Sequence, residues 1–438
     1  MTTTDDRRAE APATLAERQP RTLGFADQFG LWANLGISLL IPVTATFLVA
    51  PGQSFVATVV AIAVGTVIGC ALLGLVAKAG AETGAPTMVL LRGLLGRTGS
   101  YVPTALNLLQ CVGWATYEIW VISFAGHAVW DGLPRWAYAV AAGAAATAMA
   151  LRPLGSVRLL KRIAVAAVVA SSAYFLVETS RHPLGDLTEG AWTGFWTSAD
   201  LVIALPVSWI PLVADYSRFS RSGRAGALGT SLGYALSSAA FFLLGVLALR
   251  AYGTGPGDDV VGALLAVPAG AIALVILAAC EVDEAFANIY STATSAQNIA
   301  PRADRRALAL GVGAVATILA LAVDGGAYEP FLFLIGAVFV PLAGTLVIDF
   351  ALSRGGYDTS AHAPARWALL VPWVAGFAAY QLTTPTVLTA WPAWEGFWRE
   401  AQDLLGISPT NGFSASLVSL AVAALLTPLV RGRRTVRR

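Results

Sequence analysis

Charge is what this chain has least of. Asp, Glu, Lys and Arg make up 12% of its 438 residues, where a soluble globular domain carries about 25%. Hydrophobic residues make up 56% and the mean hydropathy is +0.68, which excludes an ordinary soluble fold and points to a polytopic membrane protein. The three cysteines, Cys70, Cys111 and Cys280, are scattered and form no metal or disulfide pattern. His127, His182 and His362 are too far apart in sequence to offer a ligand cluster. No G-x-x-x-x-G-K-[ST] loop occurs, which argues against ATP drive within the chain, and no ATP-binding partner is implied. A nucleophile elbow and an H-E-x-x-H helix are also missing, and the basic residues form no aromatic-interleaved nucleic-acid patch. Met1–Thr22 lacks the apolar core of a signal peptide and is expected to be a short disordered tail.

Apolar sequence is abundant, in runs of about 20 residues, the length that crosses a bilayer. Twelve spans are expected, at 27–50, 54–77, 101–127, 134–151, 162–179, 198–216, 226–250, 260–297, 305–324, 328–352, 365–384 and 412–430. The eighth is longer than one crossing needs, so it is tilted or starts outside the bilayer. Gly84–Ser100, with Arg92 and Arg97, reads as a re-entrant or interfacial piece, and Trp391–Leu405 as an aromatic interface anchor. The expected fold is therefore an all-α polytopic membrane protein. Its parts are a tail at 1–26, a core of helices 1–10 at 27–352, helices 11 and 12 at 353–430, and a basic tail at 431–438.

The distribution of positive charge tests this layout. The two tails and every second loop hold 24 of the 28 Lys and Arg residues, and the opposite side holds Arg135, Arg181, Arg250 and Arg399. By the positive-inside rule both termini are cytoplasmic, in a bacterial-type inner (cell) membrane.

Two spans are interrupted by composition. The first contains Asn34-Leu35-Gly36-Ile37-Ser38 and then Pro42; the sixth contains Pro206-Val207-Ser208-Trp209 and then Pro211. Proline removes a backbone donor, and broken backbone at membrane depth survives only against protein or a cavity. Interrupted helices at positions 1 and 6 point to a five-plus-five inverted repeat with a binding site at mid-membrane. Gly and Pro are also simply frequent in membrane helices, which is the plainer alternative.

Polar residues concentrate in the eighth and third spans. In Cys280–Ile299, Glu284, Asn288, Ser291, Ser295 and Asn298 share one helical face, with Asp283, Tyr290, Thr294 and Gln297 beside it. Glu281 adds a third carboxylate. A polar face of about five turns is too long for a frayed helix end and has to turn inward, toward a partner, an ion or a water-filled cavity. In the third span Gln110, Trp114 and Glu118 fall at i, i+4 and i+8. An amide, an indole and a carboxylate on one face suit a flat polar heteroaromatic ligand, stacked on the indole with its edge on the polar groups. Packing for Trp114 and a purely structural ion pair for Glu118 are the alternatives. Trp209 is a candidate for the opposite ring face, Ser208 and the unwound backbone near it for the ring edge. Asp215 and Asp349, at the inner ends of spans 6 and 10, read as structural or gating charges.

Four blocks, Pro206–Ser222 (P-V-S-W-I-P-L-V-A-D-Y-S-R-F-S-R-S), Asn107–Trp114, Asn288–Ile299 and Phe333–Phe350, resemble the nucleobase–cation symporter family of cytosine, purine, allantoin and hydantoin permeases. The resemblance runs through helices 1–10 and is nearest the bacterial cytosine permease branch, which includes carriers proposed for the hydroxymethylpyrimidine of thiamine. It implies symport of a base with H⁺ or Na⁺ by alternating access, and no enzymatic activity. It implies a base held between Trp114 and Trp209, with Gln110 and Ser208 at its edge and Asn34, Ser38 and Asn288 as further contacts. Where the family often has an amide or small residue, this chain has Glu118, which implies a ligand with an extra donor or a titrating role. Sodium-coupled members join carbonyls of helix 1, here around Gly36, to two hydroxyl residues of helix 8. Asp283 and Glu284 stand near that pair, so the coupling ion is left open between sodium and proton. No cofactor is expected beyond a bound sodium. The partners are the heterocyclic substrate, the coupling cation and the bilayer. The reading of another class is a membrane sensor that binds a base without moving it.

Overall fold

The computed structural model describes residues 20–48, 53–153, 170, 173–182, 186–252, 260–323, 328–354, 356–384, 392–407 and 412–432. Most of the N-terminal tail, most of the fifth span and the end of the basic tail lie outside the described residues. Among the described residues all regular structure is helical, and the extended pairings are two isolated bridges, Leu23–Ser220 and Gln53–Ala191.

The first apolar stretch is two helices, α1 (Phe25–Leu35) and α2 (Leu40–Leu48), bent by 61° across the junction. The sequence explains the break. Gly36 closes α1, its N–H donating to the Trp32 carbonyl, and the Ser38 hydroxyl accepts the Leu40 N–H to start α2. Pro42 then falls in the first turn, where a helix has no use for its missing N–H. The long α3 (Phe55–Thr83) begins at Ser54, whose side chain accepts the Ala57 N–H, and ends at Gly84 in the left-handed region. The expected re-entrant or interfacial piece is the buried helix α4 (Thr87–Gly99), kinked at Gly96. Next come α5 (Tyr101–Val129) and α6 (Arg135–Leu151).

The sixth span divides into α7 (Phe195–Ser208) and α8 (Ile210–Ser217). The backbone there is not unwound, contrary to expectation: Trp209 keeps right-handed helical angles (φ −81, ψ −15) and its N–H donates to the Pro206 carbonyl at 3.3 Å. Pro211 lies in the first turn of α8, where its missing donor is tolerated, so the interruption is a single residue in one continuous span. Then follow α9 (Gly223–Tyr252), α10 (Val260–Ala266) and α11 (Gly270–Ile299). The over-long eighth span is thus two helices, separated at Val267–Ala269, with Ala269 left-handed (φ 53). The chain continues as α12 (Arg305–Ala320), α13 (Tyr328–Leu352), α14 (Leu370–Thr383), α15 (Pro392–Leu405) and α16 (Ala415–Val430).

Among the described residues five helical segments, α3, α5, α7 with α8, α9 and α13, are long and apolar enough to cross a membrane, and the bent α1–α2 pair makes a sixth. The protein is a multi-pass membrane protein. α11 is as long, at 30 residues, but its second half carries the polar face, and that face is turned inward: Glu281, Asp283, Glu284, Asn288, Ser291, Ser295 and Asn298 are all buried. α11 lies along α5, α7 along α3, and α9 along α1. Glycines set the last two distances. A Cβ at Gly69 would meet the Pro206 ring at 2.3 Å, and one at Gly233 the Phe29 carbonyl oxygen at 2.5 Å.

Charged groups tie the later helices to the core. Asp200 on α7 caps α16, accepting from the Ser414 hydroxyl at 2.5 Å and from the N–H groups of Ala415 and Ser416 at 2.8 and 3.1 Å. Asp349, near the end of α13, accepts two bonds from Arg366 (2.8 and 2.9 Å), one from Arg431 (3.2 Å) and one from the Tyr357 hydroxyl (2.7 Å). The aromatic face of α15 sets Trp394 and Trp398 against Phe377.

Candidate functional site

A cavity lies where the α1–α2 junction, α5, the α7–α8 joint, α9 and α11 meet. Trp114 and Glu118 reach it from α5, Ser208 and Trp209 from the joint, Glu284 and Asn288 from α11, and Ser38 with Leu40 from the junction. The open core is about 10 Å³, room for about one water. Pockets that hold small organic ligands are typically ~300 Å³ or more, so a ligand of that size would enter only when these helices part.

The cavity is closed by its own side chains. The Asn288 amide donates to Glu118 Oε1 at 2.7 Å and to the Glu284 carbonyl at 3.3 Å. Gln110 donates to the Ser208 carbonyl at 2.9 Å and to Asn107 Oδ1 at 3.0 Å, so it stands behind the cavity and fixes α5 to the joint. The Ser208 hydroxyl donates back to the Leu205 carbonyl at 2.6 Å. The Trp209 indole N–H donates to the Tyr234 hydroxyl at 3.1 Å, and the ring meets Trp32 edge-on at 5.7 Å. Trp114 meets Tyr328 and Phe331 edge-on at 6.0 and 5.3 Å.

Several buried polar atoms here have no partner: Glu118 Oε2, Glu284 Oε1, the Trp114 indole nitrogen and Gln110 Oε1. Such atoms are costly away from water. They make a ready set of one donor and several acceptors for a ligand or a water.

The structure does not bring every expected residue to the cavity. Asn34 is buried in α1 with both side-chain polar atoms unpartnered, but does not line it. Gly36 closes α1 against α9, where a Cβ would lie 2.2 Å from the Ser237 hydroxyl. Asp283 is buried, with neither oxygen hydrogen-bonded, and is also off the lining. The carboxylate that meets the helix 1 break is Glu281. Its Oε1 accepts from the Ser38 hydroxyl at 2.8 Å and its Oε2 from the Leu39 N–H at 2.6 Å. Three acids within four consecutive positions point around most of a helix, so spacing could not say which one faces the break. Tyr234 was missed although a signal existed: Thr230, Ser237 and Ser238 fall on its face of α9 at helical spacing and are buried with it. Near the inner end, Asp215 accepts the Thr87 N–H at 2.9 Å and Arg218 donates to the Tyr290 hydroxyl at 3.0 Å, which ties α8 to α4 and α11.

The chain is similar to several known proteins along most of its length. Residues 16–366 match the profile of the family described as permease for cytosine/purines, uracil, thiamine, allantoin. The cytosine permease of Escherichia coli (strain K12) is 23% identical over 368 residues, covering 81% of this chain and 80% of that one. Among solved structures, Mhp1, described as a nucleobase-cation-symport-1 family transporter, closed with bromovinylhydantoin bound, superposes with a TM-score of 0.71 at 19% identity, covering 95% of this chain and 99% of that one. Its inward-facing form gives 0.70 at 19% identity, over 97% and 93%. A Na⁺-coupled sialic acid symporter gives 0.63 at 12% identity, over 94% and 91%. These likenesses establish a shared fold, and the relatives are permeases and transporters, not enzymes.

Proposed function

The chain belongs to the family of permeases for cytosine/purines, uracil, thiamine and allantoin, and from that premise we propose that it imports a nucleobase or related nitrogen heterocycle by symport with a cation. The observation that carries the reading is the cavity itself, which brings two tryptophans, an amide and two carboxylates together from helices remote in sequence. With the helices parted, a flat ring would stack between Trp114 and Trp209, its edge on Asn288, Ser208 and Glu118. Gln110 holds the Ser208 carbonyl in place, and Ser38 and Asn34 act from the helix 1 side.

In this reading the five-plus-five inverted repeat spans 27–352, helices 11 and 12 follow at 353–430, and twelve crossings leave both termini in the cytoplasm of a bacterial-type cell membrane. Alternating access opens the closed cavity to one side and then the other. Glu281 joins α11 to the break, so a cation held near Asp283, Glu284 and the Gly36 backbone would act on the same junction that the base touches. Both carboxylates have oxygens without partners, which fits either a proton or a sodium ion. The extra acceptor on Glu118 favours an aminopyrimidine, hydroxymethylpyrimidine included, over a base with fewer donors.

Uptake of labelled cytosine, adenine, allantoin and hydroxymethylpyrimidine into proteoliposomes, under an imposed sodium or proton gradient, tests the proposal. At least one compound should accumulate, and Trp114→Ala should abolish it. No uptake of any compound under either gradient would refute transport. Binding without uptake would favour the sensor.

A further inference from the structure

A groove of about 200 Å³ opens to the outside of the bundle between α3 and α13, away from the central cavity. Its walls are one face of each helix, read at helical spacing. Leu75, Val76 and Ala79 come from α3, and Leu346, Val347 and Phe350 from α13. The same groove is lined by Lys78 and Glu82 toward the end of α3 and by Arg354 just past the end of α13. In the proposed topology both helix ends lie at the cytoplasmic face. The groove is then apolar where it faces hydrocarbon and charged where it meets the inner headgroups.

The charges at this end are not balanced. Lys78 and Glu82 pair with each other at 3.5 Å. Among the described residues the Arg354 guanidinium forms no ion pair. Before it on the same helix, the single carboxylate of Asp349 is met by two guanidinium groups, those of Arg366 and Arg431. The end of α13 therefore carries an excess of positive charge. Arg354 also stands in the left-handed region, at φ 49, a conformation that glycine ordinarily takes at a helix end. A basic residue needed only to set topology could stand at any neighbouring position. Here a guanidinium is kept at the mouth of the groove against the preference of its own backbone.

We propose that this groove binds an anionic phospholipid of the inner leaflet. An acyl chain lies along the apolar walls between α3 and α13, and the phosphate meets Arg354, with Lys78 beside it. Basic pockets between transmembrane helices on the cytoplasmic side suit such headgroups. α3 and α13 both pack on α7, and α7 carries Ser208 to the central cavity. A lipid that spans the two helices thus braces the frame of the cavity without touching what the cavity holds.

The test uses the purified full chain in detergent, titrated with phosphatidylglycerol and with phosphatidylcholine of the same acyl chains. The readout is the thermal midpoint, which a bound lipid raises by mass action. One basic side chain at a membrane surface favours an anionic lipid by about fivefold. Phosphatidylglycerol should therefore act at a concentration at least about fivefold lower than phosphatidylcholine. Arg354→Gly suits the left-handed backbone and should not lower the midpoint of the protein without added lipid, yet it should erase the difference between the two lipids. Arg306→Gln removes an exposed positive charge elsewhere on the same side and should leave that difference intact. Glycerol phosphate, which has the headgroup charge and no acyl chain, should have no effect at the same concentrations. Equal action of the two lipids, an equal loss of the difference in both variants, or an equal effect of glycerol phosphate would overturn the lipid site. None of these outcomes bears on the transport proposal, which is decided by uptake.

Discussion

Replacing Glu281 by Gln should loosen the break between α1 and α2 while leaving the rest of the fold in place. The wild-type carboxylate accepts twice, from the Ser38 hydroxyl and the Leu39 N–H. The amide keeps one acceptor and turns a donor toward the second partner. One buried hydrogen-bonding group at the junction is then left unpaired, at about 1–3 kcal/mol, and the remaining bond loses its charge assistance. At ~1.4 kcal/mol per tenfold, the opening equilibrium of the junction shifts by about 5- to 150-fold. Hydrogen exchange read by mass spectrometry resolves this directly. Peptides covering Asn34–Leu48 should exchange faster in the variant by a factor in that range, and peptides from α16 should not change. Ser38→Ala removes only one of the two bonds and should produce a smaller increase. Unchanged exchange at the junction, or an equal rise in α16, would refute the claim that this carboxylate holds the break.

Two further outcomes follow from caps outside the cavity. Asp200→Ala removes the side chain that caps α16, a loss of about 0.5–2 kcal/mol typical of an N-cap, and should lower the thermal midpoint of the purified protein while binding at the cavity is retained; an unchanged midpoint would show that the cap is idle. Asp304, in the loop before α12, accepts the N–H groups of Arg306 and Ala307, and these bonds hold its carboxyl below the ordinary value of 3.8. The folded state therefore binds this proton less readily than the unfolded chain does. The stabilisation is complete above 3.8 and lost as pH falls through the lower folded value. Asp304→Ala should thus lower the thermal midpoint at pH 7 and have a smaller effect near pH 3, measured by thermal melts at both.

Much of this arrangement was legible in the residues. The α1–α2 break could be read from Gly36, Ser38 and Pro42, because local chemistry alone stops one helix and starts the next. The inward face of α11 could be read because apolar lipid leaves a polar stripe no other direction. Trp114 and Glu118 could be read as sharing a face, and both line the cavity. What spacing does not encode is rotation and distance between helices. It could not tell that Glu281, and not Asp283, turns to the break, that Gln110 supports the Ser208 carbonyl from behind, or that Tyr234 closes the cavity from α9. Ser414 caps α16 itself, from a place just before an apolar run, but Asp200 is 214 residues away and nothing beside it suggests that it reaches the same helix end. The sixth span shows the opposite failure: its prolines suggested an unwound segment, yet Pro211 falls in the first turn of α8, where a missing donor is tolerated, Pro206 is accommodated within α7, and the span runs on through Trp209.

The cluster at Asp349 bears on how the protein is made. Arg366 arrives 17 residues after the carboxylate and Arg431 arrives 82 residues after it. A ribosome therefore delivers α13 to the membrane with its buried acid uncompensated, then supplies one counter-charge, and supplies the second only when α16 has been synthesised. Arg366 alone balances the single charge of Asp349, so the interval in which the end of α13 is unpaired lasts only until that residue is made. Arg431 then adds a second guanidinium from the far end of α16, so the last helix is pinned to an ion pair that is already in place.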